Sequence, residues 1–284
     1  MGILVTGVAG QLGYELCLKL DAAGIACKGV DIADFDLTDR AAVRQALDAY
    51  NPGTVVHCAA YTNVNKAETD RALCFAVNET GTRNLAEWCG EHSRKLIYIS
   101  TDYVFPGNGE LPFETEDPKG PLNVYGESKL AGEEAVKALC ENYAIVRTSW
   151  VYGLHGSNFV KTMAALGAER ESVRVVCDQI GSPTYAPDLA ALLAEMLEKD
   201  VRGVFHGTNE GFCSWSEFAA AIMTVFRRNC RVEPIPTSDY PSPAVRPLNS
   251  RLSKASLDIA GLRRLPHWRD ALRRYAEETC ASTL

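Results

Sequence analysis

The sequence predicts an α/β fold built on a doubly wound parallel sheet, and three observations lead to this class. Short runs that are apolar throughout alternate with longer segments whose apolar residues recur every three or four positions. Continuously apolar strands are typical of a parallel sheet that helices cover on both faces. A glycine-rich turn follows the first strand, and an acidic residue ends the second. With 284 residues, 46% of them hydrophobic, the chain can bury a large core in one domain or two.

Apolar residues on one face predict the helices. Leu12, Leu16 and Leu20 follow one another at four-residue spacing, which places them on one side of the first helix. Thr38 and Asp39 can cap the second helix, because their side-chain oxygens accept from the free N–H groups at a helix start. In order, we expect strands at 3–5, 26–30, 54–58, 96–100, 144–147, 173–176 and 203–206. After the first helix we expect helices from 39 to about 49 and at 66–89, 126–142, 158–168, 187–199 and 215–227, then a Pro-rich irregular stretch from 231 to 251.

The charge balance excludes several classes of protein. A net charge of −7 argues against binding to nucleic acid or to an anionic membrane.

No apolar run approaches the roughly 20 residues that cross a bilayer, so no membrane association is expected. The first residues lack the basic and apolar regions of a secretion signal, so we expect a cytoplasmic protein.

The cysteines and histidines do not form metal or redox motifs. The ten cysteines include no CxxC pair, and most lie in apolar runs, which predicts buried free thiols in a reducing compartment. None of the five histidines pairs with another at i+3 or i+4, so we expect no zinc site.

The turn after the first strand has the spacing of a dinucleotide-binding turn. Gly7, Gly10 and Gly13 allow the backbone to approach a pyrophosphate, and N–H groups at the helix start can face the anion. Asp31 ends the second strand and can accept hydrogen bonds from ribose hydroxyls. A carboxylate there would repel a 2′-phosphate, so the pattern favours NADH over NADPH. The sequence therefore predicts a Rossmann-type sheet that binds a nicotinamide cofactor.

A second constellation predicts proton transfer. Tyr125 and Lys129 are four residues apart at the start of a helix, so the phenol and the ammonium share one face. An ammonium nearby would lower the tyrosine pKa, which suits Tyr125 to protonate a carbonyl oxygen as hydride arrives. Thr101 follows a buried strand, at the sheet edge where ligands bind in such folds, and can hold the same oxygen.

Longer motifs identify a relationship. They are GxxGQLG at 7–13, HCAAYTNVNKAE at 57–68, STDYVF at 100–105, YGESK at 125–129, RTSWVYG at 147–153, DQIGSPTYA at 178–186 and RPLNSRL at 246–252. Through them the chain resembles the extended short-chain dehydrogenase/reductase family, and within it the dTDP-4-dehydrorhamnose reductases, over nearly its whole length. The resemblance implies reduction of dTDP-4-dehydro-β-L-rhamnose to dTDP-β-L-rhamnose by NAD(P)H, in the synthesis of cell-surface polysaccharide.

The resemblance also implies roles for individual residues. Tyr125 would be the proton donor, Lys129 would lower its pKa and hold the nicotinamide ribose, and Thr101 would orient the ketone. The implied cofactor contacts are Gly10, Gln11 and Leu12 at the pyrophosphate, Asp31, Asp36 and Leu37 at the adenosine, and Ala59, Ala60 and Tyr61 along the cofactor. The implied contacts with the dTDP-sugar substrate are Thr101, Asp102, Trp150 and, at the diphosphate, Arg246.

Some positions depart from the family pattern or leave a question open. Asn65 stands where many members have Asp, and Tyr61 where some have His. Some members bind Mg²⁺ through glutamates at a dimer interface, and Glu15 matches one of these, so Mg²⁺ and a homodimer are hypotheses only. Residues 1–152 are expected to bind the cofactor and 153–284 mainly to form a smaller α/β substrate lobe, with about 173–200 returning to the sheet.

Three alternative functions remain at this point. A 4,6-dehydratase of the same superfamily would carry a Thr-Asp-Glu pattern, whereas Tyr103 occupies the third position here. A reductase of another dTDP-4-keto-6-deoxysugar would differ only in its pocket residues. A non-catalytic regulatory subunit, of the kind that binds methionine adenosyltransferase, is disfavoured by the intact Thr101, Tyr125 and Lys129.

Overall fold

A computed structural model describes residues 2–281 of the chain. Its strands are β1 (Ile3–Thr6), β2 (Cys27–Val30), β3 (Thr54–His57), β4 (Lys95–Thr101), β5 (Tyr143–Thr148), β6 (Val151–Tyr152), β7 (Ser172–Val176), β8 (Ile180–Gly181), β9 (Thr184–Tyr185), β10 (Gly203–His206), β11 (Asn209–Glu210), β12 (Cys213–Ser214), β13 (Arg231–Ile235), β14 (Asn249–Ser250) and β15 (Leu265–His267). Its α-helices are α1 (Gln11–Ala22), α2 (Arg40–Tyr50), α3 (Val64–Ala67), α4 (Arg71–Phe75), α5 (Thr82–Glu91), α6 (Val124–Leu139), α7 (Phe159–Glu169), α8 (Ala186–Glu198), α9 (Trp215–Val225), α10 (Ala255–Ile259) and α11 (Trp268–Ala281).

Six strands form the central sheet, in the order β10-β5-β4-β3-β1-β2. Every neighbouring pair is parallel, so the carboxyl ends of all six strands lie at one edge. The strand order reverses between β1 and β3, and a crevice outside the carboxyl ends at such a point is where ligands bind in this class of fold. The predicted doubly wound Rossmann-type sheet is confirmed.

Helices cover both faces of this sheet. On one face, Leu16 and Leu20 of α1 pack with Leu189 and Leu193 of α8 over Val5 of β1. On the other face, α2, α5 and α6 pack over alternate residues of the same strands. The buried side chains of that second layer are Leu4, Val43, Leu47, Val55, Leu85, Trp88, Leu96 and Val136. Strands that are apolar on both sides have this environment, as the sequence pattern predicts.

The single helix predicted at 66–89 is wrong. The structure has α3, α4, a π-helical turn at Ala76–Gly81 and then α5. The extra residue of the π turn directs Asn78 into the protein, where its side chain bonds the backbone of Tyr61 in both directions, at 2.8 and 3.1 Å. Asn78 Nδ2 also donates to Ser128 Oγ at 3.0 Å. Periodicity alone does not reveal such an insertion, which breaks the 3.6-residue repeat.

A second hydrophobic cluster lies in the carboxyl-terminal half of the chain. Residues of α7, α9 and α11 surround a group of aromatic rings. These rings belong to Tyr152, Tyr185, Phe218, Trp268 and Tyr275. Strand β7 pairs with β13 in a separate two-stranded sheet, whereas α8 packs on α1 and β10 joins the central sheet beside β5. Residues 173–200 were expected to return to the central sheet. Helix α8 packs over that sheet, whereas strand β7 does not join it.

The cysteines are free thiols, as predicted. Cys177 and Cys280 are exposed, and the other eight are at least partly buried. Among residues 2–281, no helix has both the length and the apolar character needed to span a bilayer.

Candidate active site

A cavity of about 800 Å³ opens at the carboxyl edge of the central sheet. It brings together the glycine turn, the acidic end of β2 and the ends of β3, β4 and β5. The predicted residues that line it are Gly7, Gly10, Gln11, Leu12, Gly13, Asp31, Asp36, Leu37, Ala59, Ala60, Thr101, Asp102, Tyr125, Lys129 and Trp150. Two predicted residues do not line the cavity. Tyr61 packs in the small hydrophobic cluster that Tyr125 also contacts, and Arg246 lies beside the wall, bonded to Tyr103.

The glycine turn is shaped by close backbone approach. Gly7 has φ of +73°, and a Cβ there would lie 2.5 Å from the backbone nitrogen of Ala59. A Cβ on Gly13 would lie 2.4 Å from the Gly7 carbonyl oxygen. Helix α1 starts after Gly10 with no side-chain cap, and its first residues face the cavity. Backbone N–H groups at an uncapped helix start suit a diphosphate, so the turn fits a dinucleotide cofactor.

Asp31 has a structural contact as well as a place in the wall. Its Oδ2 accepts from the Ala9 backbone N–H at 2.9 Å, and its Oδ1 accepts from the Ile32 N–H at 2.8 Å. The carboxylate therefore braces the glycine turn from β2. Each oxygen has a second lone pair that can accept from a ribose hydroxyl.

Tyr125 is placed by the start of α6. Asn123 caps that helix by accepting from the Gly126 N–H at 2.9 Å. Gly126 has no room for a Cβ, which would lie 2.4 Å from the Tyr103 carbonyl oxygen, so α6 begins directly against the segment after β4. The Tyr103 and Tyr125 rings meet edge to face with centroids 5.7 Å apart. This contact brings Tyr125 beside Thr101 and Asp102.

The expected lowering of the Tyr125 pKa by Lys129 is not what the geometry gives. Burial raises the pKa of Tyr125, and a hydrogen bond with the Thr101 hydroxyl opposes that rise. The Lys129 ammonium turns toward β4 instead: Nζ donates to the Ile99 carbonyl oxygen at 2.7 Å and lies 4.1 Å from the centre of the Tyr98 ring. Burial lowers the pKa of Lys129 to about 7, against the opposing charge of Glu133. In this arrangement the phenol stays protonated.

Thr101 and Asp102 form a polar pair on the wall. Thr101 Oγ1 donates to Asp102 Oδ1 at 2.9 Å and accepts from the Tyr103 N–H at 3.2 Å. Asp102 is 3% exposed, and burial raises its pKa to about 6, against the hydroxyls of Ser250 and Thr101. Its Oδ2 is buried without a hydrogen-bond partner among residues 2–281. A buried, unpartnered carboxylate oxygen in a cavity wall is suited to accept from a ligand hydroxyl.

Trp150 forms part of the wall through an unusual backbone conformation. Its φ is +49°, in the left-handed region that few large residues adopt. Its indole stacks on that of Trp215 with centroids 3.7 Å apart, and it lies so close to Gly181 that a Cβ there would be 2.9 Å from the ring. Strain of this kind persists where surrounding contacts hold it, often at ligand sites.

Arg246 lies beside the cavity rather than in its wall. One guanidinium nitrogen, Nη1, donates to Tyr103 Oη at 3.0 Å, and Nη2 donates to Asn65 Oδ1 at 2.9 Å. Tyr103 and the neighbouring Val64 both line the cavity, so Arg246 lies at its rim.

Sequence reasoning missed several residues that the fold brings to this site. Thr148 and Trp215 line the cavity, and Thr148 Oγ1 is buried without a partner within the described chain. Thr148 lies opposite Thr101 in the pairing of β4 with β5, so its position at the end of a buried strand could have identified it. Asn78 acts from behind the wall through Ser128, whose hydroxyl donates to the Tyr125 carbonyl oxygen at 2.8 Å. No sequence signal marks Asn78, because the π turn directs it inward.

His57 supports the cavity floor in its neutral form. Burial lowers its pKa to about 3. Thr82 donates its own proton to the Asn78 carbonyl oxygen at 2.7 Å, so its oxygen, 3.1 Å from His57 Nε2, accepts from the ring. His57 Nδ1, 2.8 Å from Thr6 Oγ1, is then the acceptor on the other side. The imidazole thus links the end of β1 to the start of α5.

Comparison with known proteins places this geometry among characterised relatives. Residues 1–280 match the model of the RmlD substrate binding domain family. The chain is 43% identical over 276 residues to a dTDP-4-dehydrorhamnose reductase of Streptomyces griseus (95% of this chain, 91% of that one). It is 38% identical over 271 residues to a dTDP-4-keto-6-deoxy-D-glucose reductase of Streptomyces niveus (95% and 94%). A crystal structure of dTDP-4-dehydrorhamnose reductase from Bacillus anthracis in complex with NADP superposes with a TM-score of 0.95 at 40% identity, covering 98% of this chain and 100% of that one.

Proposed function

Because the chain belongs to the dTDP-4-dehydrorhamnose reductase family, we propose that it reduces dTDP-4-dehydro-β-L-rhamnose to dTDP-β-L-rhamnose. As a member of that family it is an NAD(P)H-dependent reductase of dTDP-rhamnose biosynthesis. The observation that carries the proposal is that the glycine turn and the Thr101–Asp102–Tyr125 group line one cavity. The product is a sugar nucleotide for cell-surface polysaccharide.

Residues 1–152 provide the cofactor contacts in this proposal. The turn from Gly7 to Gly13 holds the diphosphate through backbone N–H groups, and Asp31 accepts from the adenosine ribose. When bound, the reduced nicotinamide supplies a hydride. Lys129 has two ammonium donors beyond the one directed to Ile99, and these can bind the nicotinamide ribose.

Tyr125 is the proposed proton donor. Reduction of the ketone at C4 leaves negative charge on its oxygen, which must take a proton to become the hydroxyl. A phenol whose pKa is raised by burial stays protonated at neutral pH and so holds that proton until the oxygen becomes basic. The proton leaves Tyr125 Oη for the sugar oxygen, and the Thr101 hydroxyl, whose hydrogen bond opposes the rise of the Tyr125 pKa, favours the phenolate that remains.

Thr101 and Asp102 orient the substrate. The Thr101 hydroxyl proton is directed to Asp102 Oδ1, so holding the ketone requires that hydroxyl to rotate toward the sugar. Asp102 Oδ2 remains as an acceptor for a sugar hydroxyl. Trp150 stacks on Trp215, and both rings line the cavity, which supports a sugar contact for Trp150 and a substrate role for residues 153–284.

The experiment is a coupled assay that starts from dTDP-glucose and the upstream enzymes, with the product identified by NMR. We expect oxidation of NADH or NADPH only when the 4-keto sugar is present, and a product with the L-rhamno configuration. Consumption of neither cofactor would contradict the proposal. Capture of a synthetase subunit without any cofactor oxidation would favour the regulatory alternative.

A second candidate is reduction of another dTDP-4-keto-6-deoxysugar. The relative from Streptomyces niveus, whose name gives a different sugar, favours this alternative. The same NMR spectrum separates the two, because the products differ in configuration around the ring.

We propose NADH as the preferred cofactor. The Asp31 carboxylate in the cavity wall supports this preference, because it would lie close to a 2′-phosphate. The measurement is the ratio of kcat/KM for NADH and NADPH, and a ratio that favours NADPH would contradict the proposal. The relative from Bacillus anthracis was solved with NADP, so the preference needs this direct comparison.

The hypothesis of Mg²⁺ in a homodimer rests on Glu15. Burial raises the pKa of Glu15, and the neighbouring charge of Glu278 adds to that rise. Within residues 2–281, no three His, Cys, Asp or Glu side chains lie close enough together to hold a metal. A metal site complete within one chain therefore does not fit, and we derive no step of the reaction from Mg²⁺. Light scattering with and without Mg²⁺ tests the homodimer.

A further inference from the structure

A short hydrogen-bonded bridge crosses the rim of the cavity. Asn65, in α3, accepts at one oxygen from two residues of the Pro-rich segment: Arg246 Nη2 donates at 2.9 Å and Ser242 Oγ at 3.0 Å. Arg246 Nη1 donates to Tyr103 Oη at 3.0 Å, and the guanidinium lies 6.0 Å from the centre of the Tyr103 ring. The arginine is thus fixed at both of its terminal nitrogens.

The two hydrogen-bond partners of Arg246 are neutral, so neither forms an ion pair with its guanidinium. Asn65 offers an amide oxygen and Tyr103 a phenol oxygen. None of the described residues places a carboxylate at ion-pair distance from the guanidinium. Two of its five N–H donors are used in this bridge, so others remain for a ligand. The side chain is therefore held in place without a direct ion pair among the described residues, and its charge reaches a carboxylate only at longer range, where it acts to lower the pKa of Asp102.

We propose that Asn65 is an affinity-determining positioning residue, which fixes Arg246 at the cavity rim without neutralising it, so that the cation can bind the diphosphate of the nucleotide-sugar. This inference rests on the proposed function and adds a residue to it. A carboxylate at position 65 would hold the guanidinium just as well but would pair with its charge.

The test is Asn65→Asp, a substitution that keeps the shape of the side chain and adds one negative charge. We expect KM for dTDP-4-dehydro-β-L-rhamnose to rise about three- to tenfold, with kcat changed by less than about twofold, because the charge acts on binding and not on proton transfer. Added salt should reduce the difference in KM, since the new charge lies at the surface.

Asn63→Asp is the matched control. Asn63 caps α3 by accepting from the Lys66 N–H at 3.0 Å, a role that aspartate fills equally well. It adds the same charge to the same short helix, two residues from Asn65, without touching Arg246. Its KM should stay close to that of the unaltered protein. An equal rise in KM for both variants would overturn the proposal in favour of a general charge effect.

Arg246→Gln separates the inference from the proposed function. If KM is unchanged in the Arg246→Gln single variant, the proposed diphosphate contact of Arg246 fails. If it raises KM while Asn65→Asp does not, the contact stands and the role of Asn65 is overturned. In the double variant, the effect of Asn65→Asp should shrink, because the aspartate then has no cation to neutralise. An undiminished effect would assign the rise to direct repulsion of the substrate and overturn the proposal.

Discussion

Replacing Arg147 by methionine is expected to lower the free energy of unfolding by about 3–5 kcal/mol. Arg147 Nε and Nη2 donate to the two oxygens of Glu133 at 2.8 and 2.7 Å, and both side chains are at most 1% exposed. Methionine fills similar space but leaves the Glu133 carboxylate in the interior. Its remaining partners are Ser100 Oγ, which donates at 2.6 Å, and Lys137 Nζ, 4.0 Å away. The loss is large because a buried carboxylate is left whose charge only more distant lysines, such as Lys129 and Lys137, offset.

Urea denaturation followed by circular dichroism measures this loss, and we expect the thermal midpoint to fall on the order of 10 °C. The double variant Glu133→Leu, Arg147→Met removes both charges and should recover most of the stability. Arg44→Met, at the exposed pair with Glu91, is the control and should leave the midpoint nearly unchanged. A loss below about 1 kcal/mol for Arg147→Met, or a double variant no better than the single one, would refute the reasoning.

Three further predictions concern the site itself. Tyr125→Phe should lower kcat by about 10²–10⁴-fold without weakening NADH binding in a fluorescence titration. The control Tyr143→Phe, remote from the cavity, should leave kcat unchanged. Normal turnover by Tyr125→Phe would argue against Tyr125 as the proton donor. Gly7→Ala should raise the Kd for NADH at least about tenfold, since its Cβ would lie 2.5 Å from Ala59 N and its φ is +73°; an unchanged Kd in the same titration contradicts this. KM for the sugar nucleotide should rise as pH falls through about 6, where Asp102 becomes protonated and its Oδ2 no longer accepts freely, and Asp102→Asn should flatten that profile in initial-rate assays.

The sequence predicted most of the central sheet because its strands are apolar on both sides. The sequence also predicted the cap of α2 at Thr38 and Asp39, and in the structure Asp39 accepts from the N–H groups of Ala41 and Ala42. The π turn could not be predicted, because the residue that it adds to a helical turn does not alter the helical composition of the segment. It only changes which side chains face inward. Helix α11 was missed, although Trp268, Leu272 and Tyr275 have helical spacing and are buried.

Many members of the candidate site were predicted from motifs, but Thr148, Trp215 and the electrostatics of the site were not. Spacing places Tyr125 and Lys129 on one face of α6, yet it does not say where a flexible ammonium points. In the structure the Ile99 carbonyl and the Tyr98 ring take it, and burial governs the Tyr125 pKa. Burial and hydrogen-bond direction depend on residues distant in sequence, which no local pattern contains.

The interleaving of the chain has a consequence for how the protein is made on the ribosome. Strand β10 completes the sheet beside β5, and α8 covers the apolar side of α1, although both are synthesised after the substrate lobe has begun. A nascent chain that ends at residue 152 therefore carries the proposed cofactor contacts but exposes Leu16, Leu20 and one edge of β5. Such an intermediate is open to association with other unfinished chains until about fifty more residues emerge. The first 152 residues therefore complete their packing only after β10 and α8 have been made.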